Sequence, residues 1–282
     1  MQLIKLNNDL EMPVEGYGVF QVTPEETERC VLDALAAGYR SIDTAAAYMN
    51  EEAVGAALKK SGIPREELFI TTKLWVQDQG YDSAKQAVET SLEKLGLDYL
   101  DLYLIHQPFG DYYGSWRAME ELYKEGKLKA IGVSNFEADR LVDLILNNEI
   151  TPAVNQIEVH PFHQQQAAKA VMDEYGVRME AWGPLAEAQN DIFNHPVLKE
   201  IAAKHNKSVA QVVLRWHIER DVIIIPKSVR KERMEENLDL YDFSLDQEDM
   251  AKIAALDTGK STIIDHHQVE TVKMLNGLKI HD

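Results

Sequence analysis

The chain has 282 residues, 45% of them hydrophobic and 27% charged, with a formal net charge of −18. That length suits a parallel α/β barrel of about 250 residues, and the acidity opposes nonspecific binding to nucleic acid or an anionic membrane surface. A single cysteine, Cys30, excludes an intramolecular disulfide; with no apolar run long enough for a bilayer and no apolar signal core in residues 1–8, a cytoplasmic protein is expected.

In chain order, apolar residues 3–6 and 10–12 flank Asn7-Asn8-Asp9, which predicts a hairpin plugging the base of a barrel. A strand near 14–19 follows, then a helix over 24–37, with Thr23 as its cap, Pro24 in its first turn and Gly38 as its stop. Strand 41–43 leads to helix 51–60. The same alternation continues with strands at 68–74, 99–106, 130–134, 153–159, 178–182 and 222–226. Helices are predicted over 83–95, 115–125, 137–147, 164–175 and 208–220. Eight strands alternating with helices predict an α/β fold, a (β/α)8 TIM barrel, as one domain spanning 1–282. The tail from about 260 to 282 reads as irregular. Its His266-His267 pair has no further ligands beside it, so a solvated tail is expected there, and no metal.

The segment from Gly38 to Glu51 carries Asp43 and Tyr48 five residues apart, at a strand's C-terminal mouth and in the loop above it. Catalytic residues of parallel barrels collect there. Lys73, His106, Asn135 and Gln156 fall at or just beyond other strand ends, in the same layer. A lysine ending an apolar strand must be paired if buried, and Asp43 on the neighbouring strand is the available partner. The set suits carbonyl reduction: a hydride reaching a carbonyl carbon leaves charge on oxygen, which needs a proton at the same moment. Lys73 is expected to lower the Tyr48 pKa and ease proton release, while a neutral His106 orients the carbonyl. After the last strand, Lys227, Arg230, Lys231 and Arg233 form a basic cluster where barrels bind phosphate at a helix N-terminus. Residues 16–21 lack the last glycine of a Rossmann turn, so that kind of dinucleotide site is not indicated.

On these residues the sequence resembles the aldo-keto reductases, from about Leu3 to Asp257. The likeness lies in 38–55 with Asp43 and Tyr48, in Ile131-Gly132-Val133-Ser134-Asn135-Phe136, and in Ile225-Pro226-Lys227-Ser228 continuing to Arg233, Glu236 and Asn237. The resemblance implies NADPH-dependent reduction of aldehydes and ketones, with a catalytic tetrad of Asp43, Tyr48, Lys73 and His106 and Tyr48 as general acid. It implies that Ser134, Asn135 and Gln156 hold the nicotinamide carboxamide of NADP(H) and that Trp182 stacks on its ring. Gly183, Pro184 and Leu185 would follow the pyrophosphate, Lys227, Ser228 and Arg233 the 2′-phosphate, and Glu236 and Asn237 the adenine. Trp182 and the compact loops look most like the prokaryotic diketogluconate-reductase branch. Many relatives carry Trp after the catalytic histidine, whereas here Gln107 follows His106. The substrate walls are expected from His106, Phe20, Trp75, Gln107 and Phe109, around a small-molecule carbonyl compound in a monomer. A regulatory or scaffold barrel similar to the potassium-channel β subunits is the alternative, opposed by retention of the whole tetrad. A Schiff-base aldolase using Lys73 is opposed by Asp43, which would keep that amine protonated.

Overall fold

The computed structural model describes residues 2–282. Strands β1 (Leu3–Lys5) and β2 (Glu11–Pro13) pair antiparallel. Their turn is tied to the barrel rather than left free: the side-chain amides of Asn7 and Asn8 donate to the carbonyls of Pro152 and Lys129, each at 2.9 Å. Both carbonyls precede barrel strands, so the hairpin closes the N-terminal end. Leu6 and Met12 fill that end from within, against Phe69, Leu102, Val154 and Ile223.

Eight parallel strands follow in chain order: β3 (Gly16–Gly18), β4 (Ser41–Asp43), β5 (Phe69–Leu74), β6 (Leu102–Ile105), β7 (Ile131–Ser134), β8 (Val154–Glu158), β9 (Arg178–Trp182) and β10 (Ile223–Ile224). The ring closes where Glu15 bridges Ile224 in parallel and the Ile224 amide donates to the Val14 carbonyl at 2.9 Å. The expected barrel with a hairpin at its base is therefore the observed fold. Its strands are nearly all buried on both faces, which is why they read as apolar runs rather than as alternating patterns. On β7, Gly132 points inward where a Cβ would stand 2.5 Å from the Val154 carbonyl oxygen, so no larger residue fits between β7 and β8.

The outer helices are α1 (Pro24–Ala37), α2 (Glu51–Ser61), α3 (Tyr81–Leu95), α4 (Tyr112–Lys124), α5 (Ala138–Leu146), α6 (Gln166–Tyr175), α7 (Pro196–His205), α8 (Val209–Ile218), α9 (Lys231–Leu238), α10 (Gln247–Ala254) and α11 (Val269–Gly277). Gly38 ends α1 at φ 119° with its amide on the carbonyls of Ala34 and Leu35, a conformation that glycine adopts without strain. Thr23 occupies the N-cap position, but its hydroxyl makes no capping bond.

Two features depart from the sequence-based expectation. Between β9 and β10 lie two helices, α7 and α8, where one was expected; α7 starts on Pro196 and buries Leu198, Ile201 and Ala202. The tail is also not irregular. It contains α11, whose buried stripe is only Thr271 and Leu275, too narrow to stand out as a helical period. Among the described residues no helix is long and apolar enough to cross a membrane.

Candidate active site

Above the apolar floor of the barrel the inward positions turn polar. Asp43 from β4, Lys73 from β5, Gln156 from β8 and Glu180 from β9 are all buried. The Lys73 ammonium donates to Asp43 Oδ1 at 2.5 Å and to the Thr44 carbonyl at 2.9 Å. It also contacts the Tyr48 hydroxyl at 3.2 Å. Tyr48 ends a short 3-10 turn, Ala46–Tyr48, which is stopped by Met49 at φ 57°. That turn lifts the phenol above the pair while leaving it half-buried. Lys73 itself is fully buried and lies beneath the cavity rather than in its wall.

Electrostatics assign protonation states. Burial alone pushes the Lys73 ammonium down, but Asp43 and Tyr48 more than reverse this and hold it above its ordinary range. Burial, the neighbouring Lys73 charge and His266 push His106 well down, so its ring is neutral, as expected. The Tyr48 phenol departs from expectation. Burial raises it, Lys73 pulls it down, and Asp43 pushes it up again, with a net upward shift. Lys73 therefore offsets a desolvation cost instead of producing a depressed pKa, and the phenol stays protonated at neutral pH.

These groups open into a cavity of about 960 Å³ at the C-terminal mouth of the barrel. Ser134, Asn135, Gln156 and Trp182 share one wall and bind one another: Ser134 Oγ donates to the Gln156 carbonyl at 2.8 Å, and the Trp182 indole N–H to Asn135 Oδ1 at 2.8 Å. Gly183, Pro184 and Leu185 continue that wall. Gly183 sits at φ 58°. At the far end the wall includes Lys227, Ser228, Arg233, Glu236 and Asn237. The loop there is pinned by Tyr17, whose hydroxyl donates to the Ser228 carbonyl at 2.6 Å. Lys227 and Arg233 are exposed at the cavity and enter no ion pair among the described residues, whereas Lys231 lies 4.0 Å from Glu235.

Near Tyr48 the wall becomes aromatic. Ring centroids lie 5.0 Å apart for Phe20 and Tyr48, 5.6 Å for Tyr48 and His106, and 5.2 Å for Trp75 and His106. Gln107 lines the cavity, with its amide oxygen 3.4 Å from Asn135 Nδ2. Phe109 does not reach the cavity; it is buried behind Trp75, packed with Val76 and Leu275.

The sequence missed several contributors. One is Glu180, an acidic residue inside a strand that otherwise looked like core. Another is the loop after β9, from which Glu187, Ala188 and Phe193 line the cavity. The tail is a third: Ile263, Ile264, His266, Met274, Leu275 and Leu278 line the cavity. His266 is therefore not in a solvated tail, because burial there pushes its ring down to about 4. Glu158 anchors the segment by accepting bonds from Ser261 Oγ at 2.6 Å and the Thr262 amide at 2.9 Å. Trp75 holds its far end through an indole bond to the Leu278 carbonyl at 2.7 Å. Among the described residues, no group of three or more His, Cys, Asp or Glu is placed to hold a metal.

The chain belongs to the aldo/keto reductase family, whose model matches residues 15–258. It is 53% identical over 255 residues to the glyoxal reductase of Bacillus subtilis, covering 90% of this chain and 92% of that one. It is 46% identical over 261 residues to the methylglyoxal reductase of Escherichia coli, covering 92% and 94%. Among solved structures it is similar to an aldo-keto reductase of Bombyx mori in complex with NADP, at 37% identity, with a TM-score of 0.89 over 94% of this chain and 95% of that one.

Proposed function

We propose that this protein reduces small aldehydes and ketones to alcohols with NADPH, with Tyr48 giving the proton. The observation that carries this reading is the Tyr48 hydroxyl, set 3.2 Å from a buried ammonium that Asp43 holds in place, at the floor of a large cleft. The names of the glyoxal and methylglyoxal reductases support it, as does the NADP complex of the silkworm relative. The cleft also suits the cofactor: Lys227 and Arg233, unpaired among the described residues, stand at one end for a phosphate dianion, and the Trp182 indole stands near the other for a flat ring.

When bound, the cofactor supplies the hydride. Every other task belongs to the chain. His106, uncharged, donates a hydrogen bond that fixes the carbonyl oxygen without competing for the proton. Tyr48 transfers its proton to that oxygen as charge builds there, and Lys73 stabilises the phenolate left behind. Asp43 keeps Lys73 charged and stationary. Ser134, Asn135 and Gln156 position the carboxamide, Trp182 covers the ring, and Gly183, Pro184 and Leu185 run beside the pyrophosphate. Ser228 joins the two cations at the 2′-phosphate, with Glu236 and Asn237 at the adenine. Phe20, Trp75 and Gln107 bound the substrate. One barrel spanning the chain, acting as a monomer in the cytoplasm, completes the reading; the whole site is built from one chain, and the one cysteine is buried and free.

The decisive test follows NADPH absorbance with glyoxal, methylglyoxal and larger carbonyl compounds. Carbonyl-dependent oxidation of NADPH is expected, abolished in Tyr48→Phe. Tight NADPH binding without turnover of any carbonyl would instead support a regulatory barrel.

A further inference from the structure

The Gln156 amide spans the barrel. From β8 its Nε2 donates to Asp43 Oδ2 on β4 at 2.9 Å, and to Glu180 Oε2 on the adjacent β9 at 3.0 Å. Both amide hydrogens are then engaged, and the amide oxygen is what Gln156 has left for the cavity it lines. Asp43 divides its own oxygens, Oδ1 to Lys73 and Oδ2 to Gln156. One continuous path of hydrogen bonds thus runs Glu180–Gln156–Asp43–Lys73–Tyr48.

Glu180 is fully buried, and its Oε1 has no partner among the described residues. Facing it are Asp43, Lys73 and the Gln156 amide, with the Tyr48 phenol within electrostatic reach above. The β10 residue in register with it is the uncharged Ile223, and the buried acid Glu15 bridges the next β10 residue, Ile224. No cation remains for it, since Lys73 is already committed to Asp43. Dehydration and the Asp43 charge both oppose ionisation and push the Glu180 carboxyl up to about 8. A buried acid that the chemistry does not touch, joined to the reacting cluster by a single amide, calls for a role.

We infer that Glu180 is a positioning residue: its carboxyl fixes the Gln156 amide, which in turn holds Asp43 against Lys73 and presents the Gln156 oxygen to the amide hydrogens of the nicotinamide carboxamide. The inference rests on the reductase reading for that last contact. Uncharged, Glu180 steadies Gln156 without adding field. Ionised, it places a second negative charge beneath Asp43, competes for the field of Lys73 and raises the Tyr48 phenol further, making it a poorer proton donor.

Glu180→Gln and Glu180→Leu separate these effects. In the folded wild type the carboxyl stays protonated where the unfolded one ionises, so between its ordinary 4.5 and about 8 folding takes up a proton. Stability therefore falls as pH rises through that window and levels above it. Glu180→Gln lacks this proton, so its melting temperature relative to wild type should climb across the same window. The wild-type kcat should decline through an alkaline limb that Glu180→Gln removes, while its NADPH affinity stays close to wild type. Glu180→Leu frees one Gln156 donor and should weaken NADPH binding by roughly tenfold, the scale of one lost hydrogen bond. Parallel pH–melting curves for wild type and Glu180→Gln would overturn the inference, even if Glu180→Leu does not fold. So would superimposable kcat profiles, or wild-type NADPH affinity in a folded Glu180→Leu. Failure of the wild type itself to bind NADPH would count against the reductase reading instead.

Discussion

Lys73 Nζ lies 2.5 Å from Asp43 Oδ1 inside the barrel, with side-chain exposures of 0% and 3%. Both groups are almost wholly withdrawn from water, Lys73 completely and Asp43 at the edge of the cavity. Lys73→Met should therefore abolish turnover and destabilise the fold by roughly 3–5 kcal/mol, the usual cost of stranding a buried charge. Adding Asp43→Asn removes the stranded carboxylate and should restore part of the stability but none of the activity. Urea unfolding of the two single variants and the double variant measures the coupling. Simple additivity would show that the two groups do not act as a pair.

Tyr48→Phe keeps the ring against Phe20 and His106 but deletes the proton donor. We expect kcat to fall by about 10²–10⁴-fold, with NADPH affinity unchanged, because the loss is confined to the transition state. Single-turnover absorbance measurements isolate that step. A variant that keeps half the wild-type rate would assign the proton to another group.

The 2′-phosphate is the only chemical difference between NADPH and NADH. Arg233 and Lys227 stand at the cavity's end without ionic partners among the described residues, so Arg233→Ala should weaken NADPH by tenfold or more, given about 1.5–3 kcal/mol for a charge-assisted bond. NADH affinity should barely change. Quenching of tryptophan fluorescence gives both Kd values. Equal losses would mean that Arg233 supports its loop rather than reading the phosphate.

The cavity wall formed by the tail is tied down at its last residues. His281 Nε2 lies 2.7 Å from Asp78 Oδ1 and the Gln77 amide donates to the His281 carbonyl at 2.9 Å. A backbone bond to the Asp282 carbonyl and the Asp78 contact raise the His281 pKa. The charged part of the tie is therefore complete below the ordinary histidine range and is lost as pH rises through the raised value, while the Gln77 bond to the His281 carbonyl persists. His281→Ala should raise KM for bulky carbonyls with little change in kcat, and should speed amide exchange over 269–278 below that pH. Identical exchange in both proteins would remove His281 from any part in holding the wall.

The barrel was legible because each buried strand is a short apolar run bounded by helix caps and stops such as Pro24 and Gly38. Asp43, Lys73 and His106 stood out because polar residues ending apolar strands are costly unless they are used. Glu180 was illegible for the opposite reason. It lies mid-strand between Met179 and Ala181, and only the fold reveals that it faces Gln156 rather than a helix. Phe109 was assigned to the wall by nearness in sequence to His106, yet the chain turns away after Gln107 and packs that ring behind Trp75. The direction of the Tyr48 shift needed the depth of its burial, which no spacing encodes.

Lys227 and Arg233, which line the end of the cleft, sit within a chain of net charge −18, and this bears on how an anionic cofactor arrives. At a distance it meets repulsion from the whole molecule; only within about a Debye length, roughly 8–10 Å, do Lys227 and Arg233 prevail. Moderate salt should therefore hasten NADPH capture by screening the far field, while weakening the final contacts and quickening release. Ionic strength would then govern the tempo of cofactor exchange more than its equilibrium, the reverse of the pattern for a basic protein drawing in the same ligand.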